Sequence, residues 1–94
     1  MNSFIVLNNN VILIGRISEG KNSVKIQKPY MVVPEGNQVI LIPYLRDILG
    51  QDVQEIDIQK SNILTTIQAE NNTILQTYLK EISGIETGGE ILLG

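Results

Sequence analysis

The sequence contains no cysteine and no histidine. These absences exclude a disulfide framework, a thiol nucleophile, a Cys/His zinc site and any Ser-His or Cys-His catalytic pair. No apolar run exceeds four residues, far short of the roughly 20 that span a bilayer, so we expect no membrane partner. The first residues carry no basic stretch of the kind that opens a signal peptide. We therefore expect a cytoplasmic protein.

Alanine and aromatic residues are scarce, and β-branched residues are abundant. Alanine occurs once, whereas isoleucine occurs sixteen times and valine seven times among 94 residues. Because β-branched side chains fit a pleated surface, this bias favours strands, and the length suits one domain. The net charge of −3 gives no general attraction for nucleic acid.

Apolar and alternating segments separated by turn residues predict five or six short strands. These segments cover residues 4–7, 11–17, 23–33, 38–45, 55–59 and 62–67. Residues 46–54 are irregular and read as a loop with room for one helical turn. So few short strands suit a small, strongly bent open antiparallel barrel of about five strands better than a sandwich. The predicted fold class is mainly β, with the barrel in residues 1–67.

Particular residues predict how the strands behave. Residues 11–14 are apolar without interruption, which indicates a strand covered on both faces. Gly15 follows them inside the same strand and indicates a sharp bend or a close backbone approach. Pro29 and Pro43 cannot donate ladder hydrogen bonds, so they indicate a bulge or a sheet edge.

The apolar period changes near the C-terminus. Residues 70–84 form a predicted amphipathic helix, with Asn71 or Asn72 as its cap and Gly84 at its end. The apolar residues at helical spacing are Ile74, Leu75, Tyr78, Leu79 and Ile82. Residues 85–94 form a glycine-containing tail with three consecutive apolar residues near its end. We expect this tail to dock on the domain or on a neighbouring subunit.

Two motifs in the chain resemble those of the Sm-like (LSm/Hfq-type) family. The first motif of that family is matched at Leu7, Asn9, Gly15 and Ile17, with the turn glycine replaced by asparagine. The second motif is matched at the first, fifth and sixth positions of residues 58–63. The first match covers the predicted first turn and second strand, and the second covers the predicted last turn.

The order of further motifs is most similar to short Sm-like proteins of marine phage and metagenomic origin. Those proteins place a Lys-Asn-Pro-like element, a Val-Pro-Gly-like turn and a Met-Pro-Phe-Leu-like strand end in this order. The corresponding segments here are Gln27-Lys28-Pro29, Val33-Pro34-Glu35-Gly36 and Ile42-Pro43-Tyr44-Leu45. A helix and an apolar tail follow in both, so the likeness covers nearly the whole chain.

The resemblance implies an SH3-type barrel that assembles into a homo-oligomeric ring of five to seven subunits. In such rings the fourth strand of one subunit pairs with the fifth strand of the next. The pairing edges would be residues 38–45 and 62–67, with interface positions at Val39, Leu41, Ile63 and Thr65. An open barrel leaves two unpaired edges in any case, and head-to-tail pairing that closes on itself would remove them.

Sm rings commonly bind single-stranded RNA, and the resemblance places a pore-side pocket at Asn22, Lys60 and Asn62. Lys21 and Lys25 would flank it, within a basic stripe at residues 16–28 that holds four cations against one glutamate. The alternative for this stripe is a solvated strand face with edge lysines. Likewise Tyr30 and Tyr44 could stack bases or serve packing, and Asp52, Glu55 and Asp57 could hold a hard cation or line a solvated strand.

The first functional hypothesis is a ring that binds single-stranded RNA in the manner of an RNA chaperone. The second is a structural or adaptor ring whose tail, residues 85–94, docks a protein partner. The replacement of the usual arginine of the second motif by Gln59 favours the adaptor. No constellation supports catalysis, a cofactor or a metal site, so we do not expect an enzyme.

Overall fold

The computed structural model describes residues 1–70 and 72–83, and these residues form six strands and two helices. The strands are β1 (Asn2–Leu7), β2 (Ile12–Glu19), β3 (Ser23–Glu35), β4 (Gln38–Pro43), β5 (Glu55–Gln59) and β6 (Ile63–Gln68). The helices are α1 (Arg46–Leu49) and α2 (Thr73–Ile82), and a 3-10 turn, Lys60–Asn62, joins β5 to β6. The predicted tail and the predicted helix end at Gly84 lie outside the described residues.

All six strands belong to one open antiparallel sheet, so the mainly β prediction is confirmed. The strand order is β4-β3-β2-β1-β6, and β5 pairs separately with β3. β3 is long enough for two partners on one side: residues 30–35 pair with β4, and residues 23–27 pair with β5. The six strands match the six predicted segments, one more than the barrel estimate of about five, and α1 with its flanking loops separates β4 from β5 along one margin of β3.

The sheet bends where the sequence predicts it. The register of β2 against β3 shifts between Ile14 and Arg16. A Cβ atom at Gly15 would lie 2.6 Å from the Cγ1 atom of Ile26, which confirms the close approach. Opposite, Lys28 has a φ of 49°, a left-handed conformation that forms the bulge indicated by Pro29. Pro43 ends β4 at the sheet margin, as predicted for an edge.

Two apolar clusters lie on the two faces of the sheet. The inner cluster is centred on Ile5, Leu7, Leu13, Val24 and Ile26. The outer cluster joins Ile14 of β2 to Leu75 and Tyr78 of α2. Neighbouring residues of a strand face opposite sides, so Leu13 and Ile14 each enter one cluster. Both are fully buried, which confirms that this strand is covered on both faces.

Helix α2 packs on the sheet of its own chain. The Asn72 side chain caps it by accepting a hydrogen bond from the Leu75 backbone N–H at 2.8 Å. The helix is shorter than predicted at its start because this cap fixes Thr73 as the first helical residue. The Tyr78 hydroxyl donates to the Lys28 carbonyl oxygen at 2.9 Å and so ties α2 to the β3 bulge. Neither α1 nor α2 is long and apolar enough to cross a membrane.

Candidate nucleic-acid interface

Three turns meet at one end of the sheet, and we call residues 8–10, 20–22 and 60–62 the loop junction. The Lys60 backbone N–H donates to the Asn22 carbonyl oxygen at 3.0 Å. On the other side, the Asn8 backbone N–H donates to the Asn62 carbonyl oxygen at 2.9 Å. The Asn8 side-chain Nδ2 also donates to the Ser61 carbonyl oxygen at 2.8 Å. The 3-10 turn is thus held between the other two turns, and the predicted residues Asn22, Lys60 and Asn62 come together through the backbone.

The asparagine run of the first turn has a structural role. Asn10 adopts a φ of 69°, which asparagine tolerates better than most residues. The Asn9 side-chain oxygen accepts a hydrogen bond from the Val11 backbone N–H at 3.1 Å. Turn formation therefore explains Asn9 and Asn10. In contrast, the Asn22 and Asn62 side chains are exposed, and neither makes a hydrogen bond within residues 1–70 and 72–83.

Two of the candidate cations are neutralised by neighbouring carboxylates. Lys60 Nζ lies 3.6 Å from Glu19 Oε2, and Lys25 Nζ lies 3.2 Å from Glu55 Oε2. The hydrogen bond to Glu55, with the negative charges of Glu55 and Asp57, raises the pKa of Lys25. Lys21 is exposed and forms no ion pair with any described residue. The basic stripe therefore attracts an anion less strongly than its sequence suggests.

The candidate side chains face separate clefts. Asn62 borders a cleft of about 490 Å³, the Tyr44 cleft, whose lining includes Leu7, Asn8, Asn9, Tyr44, Ile58 and Asn62. Lys25 borders a different cleft of about 420 Å³, with Glu19 and Asp57 on its rim. Neither cleft is lined by Asn22, Lys21 or Lys60. The structure thus brings Asn22 and Lys60 together in the backbone but does not place all five candidates around one pocket.

The Tyr44 cleft combines an aromatic ring with amide side chains. Tyr44 follows β4, and Asn62 ends the 3-10 turn before β6. An aromatic ring stacks on a base, and an amide hydrogen-bonds the edge of a base, so the pairing suits an unpaired nucleotide. The sequence offers each residue as a separate candidate. Their proximity depends on the pairing of β5 with β3, which local pattern does not reveal.

The two candidate tyrosines are both engaged in packing within the subunit. Tyr30 contacts Tyr78 edge-to-face, with ring centroids 5.6 Å apart and an angle of 81° between the planes. Burial is the main reason that the pKa of Tyr30 is raised. Tyr44 is half-buried against the inner cluster, so only part of its ring faces the Tyr44 cleft. Tyr30 packs against a helix of its own chain.

The acidic residues do not form a cation site. Asp52 precedes β5 and lies 3.2 Å from the Arg46 Nε atom, while Glu55 pairs with Lys25. The expectation that all three line one strand is wrong for Asp52, because β5 begins only at Glu55. Among residues 1–70 and 72–83, no three metal-ligating side chains are grouped.

The predicted pairing edges lie at the two margins of the sheet. Within residues 1–70 and 72–83, β4 pairs only with β3, and β6 pairs only with β1. Val39 and Leu41 on β4 are half-buried, as is Ile63 on β6, whereas Thr65 is exposed. Two large apolar side chains of β6, Leu64 and Ile67, are 65% and 53% exposed. Open backbone groups beside exposed apolar residues are the features of a strand that adds to another sheet.

Comparison with protein-family models and with curated protein sequences finds no match to this chain. The function is therefore inferred from the sheet margins, the loop junction and the Tyr44 cleft, together with the sequence motifs. The loop junction and the Tyr44 cleft adjoin each other and share Asn8, Asn9 and Asn62. The margins can add a strand from another chain. The amide and aromatic side chains of the junction and the cleft can contact an unpaired base.

Proposed function

We propose that this chain is a Sm-like subunit that forms a closed homo-oligomeric ring and binds single-stranded RNA in the manner of an RNA chaperone. The observation that carries the proposal is that the described strands leave β4 and β6 with open edges on opposite margins of one sheet, with β5 beside β4 along the first margin. Head-to-tail pairing of β4 with the β6 of a neighbour satisfies both edges at once, and a repeated rotation closes the ring.

The connectivity of the sheet supports an SH3-type barrel of the Sm-like kind. β4 and β5 together follow one side of β3, and the bulge at Lys28 lies between their pairing regions. The 3-10 turn then directs β6 back to β1, the first strand. Side chains from β1, β2, β3 and β5 converge on the inner cluster, which supports a small barrel. The Sm-like motifs fall where such a barrel needs them, on the β1–β2 turn, the Gly15 bend and the 3-10 turn.

The position of the polar side chains supports RNA as the ligand. Asn22, Asn62 and Lys21 are exposed, and their side chains make no hydrogen bond or ion pair with other described residues, so they remain available to bases and phosphates. Tyr44 lies in the same cleft as Asn62 and offers a partly exposed ring for stacking. A ring repeats each of these contacts in every subunit, so weak single contacts combine into a useful affinity.

The RNA prediction is tested by replacing Lys60 and Asn62 together with alanine. We expect the ring to remain intact while the affinity for short oligouridine or oligoadenine RNA falls about tenfold or more, since one charged and one neutral hydrogen bond are lost. Native mass spectrometry with RNA titration measures assembly and binding in one experiment. The matched control is Lys80→Ala, which removes an exposed lysine from α2 far from the loop junction. Equal affinity of the double variant and the control would remove this site.

The ring prediction is tested at an exposed position of β6. Leu64→Lys places a charge on the open edge, and we expect the oligomer to dissociate into folded monomers because a buried unpaired charge opposes association. Size-exclusion chromatography with light scattering measures the mass. Ile48→Lys is the control, because Ile48 is 80% exposed and belongs to α1 rather than to a strand edge. A wild-type chain that is monomeric at micromolar concentration would contradict the ring itself.

A structural or adaptor ring is the second candidate, and the paired cations favour it. Lys25 and Lys60 are held by Glu55 and Glu19, which weakens the attraction for phosphates. Removing residues 85–94 separates the two candidates. The adaptor function is supported if the shortened chain fails to assemble, and the RNA function is supported if it assembles and keeps the RNA affinity of the full chain.

A further inference from the structure

A cleft of about 560 Å³ opens between the β3 bulge and the C-terminal half of α2, and we call it the bulge cleft. Gln27 and Lys28 form its floor at the bulge, and Arg16 of β2 flanks them. Leu79 and Ile82 of α2 provide an apolar wall beside Tyr78. The remaining lining residues are Met1, Asn2, Gln54 and Glu55. The volume lies within the range typical of small-molecule sites.

The bulge cleft carries a local positive charge although the chain is acidic. Arg16 and Lys28 are both exposed, and neither forms an ion pair within the described ranges. Glu55 also borders the cleft, but its carboxylate is engaged by Lys25 at 3.2 Å. The two cations of this cleft therefore differ from Lys25 and Lys60, whose charges are offset by neighbouring carboxylates.

The backbone at Lys28 is held in a strained conformation by contacts from two other segments. Its φ of 49° is unfavourable for a residue that is neither glycine nor asparagine. Its N–H donates to the Gln54 carbonyl oxygen at 2.8 Å, and its carbonyl oxygen accepts from the Tyr78 hydroxyl at 2.9 Å. Strain of this kind persists when the surroundings fix it, and it is common at binding sites. Lys28 borders the bulge cleft and also a smaller neighbouring cleft of about 160 Å³, which Asp52 and Glu81 border as well.

We propose that the bulge cleft binds a small organic phosphate. Arg16 offers a planar fork and Lys28 a compact charge, a combination that suits phosphate oxygens. The amides of Asn2, Gln27 and Gln54 supply further donors, and Leu79 and Ile82 contact the organic part of the ligand. The proposal does not depend on ring formation or on the loop junction.

The experiment is an NMR titration of the 15N-labelled full-length chain with adenosine monophosphate, inorganic phosphate and adenosine in parallel. We expect the amide resonances of Gln27 and Leu79 to shift with adenosine monophosphate. Inorganic phosphate and adenosine should each bind about tenfold more weakly or worse, since each lacks half of the recognised chemistry. Arg16→Gln and Lys28→Asn should each weaken adenosine monophosphate binding about tenfold. Asparagine is chosen at Lys28 because it tolerates positive φ.

Two controls make the outcome specific. Lys21→Gln removes an exposed lysine outside the bulge cleft and should leave binding unchanged. The Lys60→Ala/Asn62→Ala variant should also bind adenosine monophosphate normally, so failure of the RNA proposal would not affect this result. Three results would each overturn the inference: no shift at 10 mM ligand, shifts confined to the loop junction, or equal binding of inorganic phosphate and adenosine monophosphate.

Discussion

Replacing Tyr78 with alanine is expected to lower the free energy of unfolding by about 3–5 kcal/mol, as is typical when a buried aromatic side chain is removed. Tyr78 is only 1% exposed and joins α2 to Ile14 in the outer cluster. It also contacts Tyr30 edge-to-face and donates its hydroxyl to the β3 bulge. Chemical denaturation followed by circular dichroism measures the loss. The control Lys80→Ala should change stability by less than about 0.5 kcal/mol. Equal stabilities would show that α2 does not dock through Tyr78.

The phenylalanine variant separates the ring of Tyr78 from its hydroxyl. Tyr78→Phe should cost about 1 kcal/mol near neutral pH, because the Lys28 carbonyl oxygen loses its donor. Burial raises the pKa of Tyr78 from 10.0 to about 12. The protonated hydroxyl therefore contributes its full share of the free energy of unfolding below about pH 10. This contribution is lost as the pH rises from about 10 to about 12. The stability of Tyr78→Phe should decline less steeply over that interval. Parallel declines would contradict a buried, protonated hydroxyl.

Replacing Gly15 with alanine should lower stability by about 1–3 kcal/mol or more, the cost of forcing extra atoms into a packed site. The new Cβ atom would lie 2.6 Å from Ile26 Cγ1 and 2.8 Å from the Gln27 carbonyl oxygen. Side-chain movement of Ile26 relieves only the first contact, because the second involves backbone at the bulge. Thermal and urea denaturation of the purified variant measure the effect.

The matched control for Gly15 is Gly36→Asn. Gly36 lies in the β3–β4 turn with a φ of 63°, a conformation that asparagine tolerates, and a Cβ atom there meets nothing within 4 Å. We expect this substitution to cost less than about 1 kcal/mol. If Gly15→Ala is no more destabilising than Gly36→Asn, the close approach of β2 and β3 does not constrain the fold.

Local sequence pattern was sufficient for most of the strands. β5 begins and ends at the predicted residues, and β3 begins at the predicted Ser23. The alternation in these segments is clear, and each is bounded by turn residues. Gly15 and Pro29 marked the bend because each has a backbone property that a regular strand does not accommodate. Asn71 and Asn72 were both proposed as the helix cap, and in the structure the Asn72 side chain caps α2.

Features that depend on distant partners were not predictable from local pattern. The left-handed backbone of Lys28 is stabilised by Gln54 and Tyr78, which are far away in sequence. The ion pairs of Lys25 and Lys60 arise only after β5 pairs with β3 and the turns meet. For the same reason, the sequence suggested one basic stripe, whereas in the structure Lys25 is ion-paired, Arg16 and Lys28 border the bulge cleft, and Lys21 is exposed outside it.

The order of pairing in the sheet also sets when the fold can form. β1 pairs with β2 on one side and with β6 on the other. The pairing of Ser3 with Gln68 therefore cannot form until residue 68 has been synthesised. The hydroxyl contact between Tyr78 and Lys28 likewise joins residues 50 positions apart. Contacts that are distant in sequence slow folding, since loop entropy is lost before the contacts form. A nascent chain that ends before β6 exposes both the open edge of β1 and the outer face of Ile14, so β6 and α2 protect the first strands from aggregation.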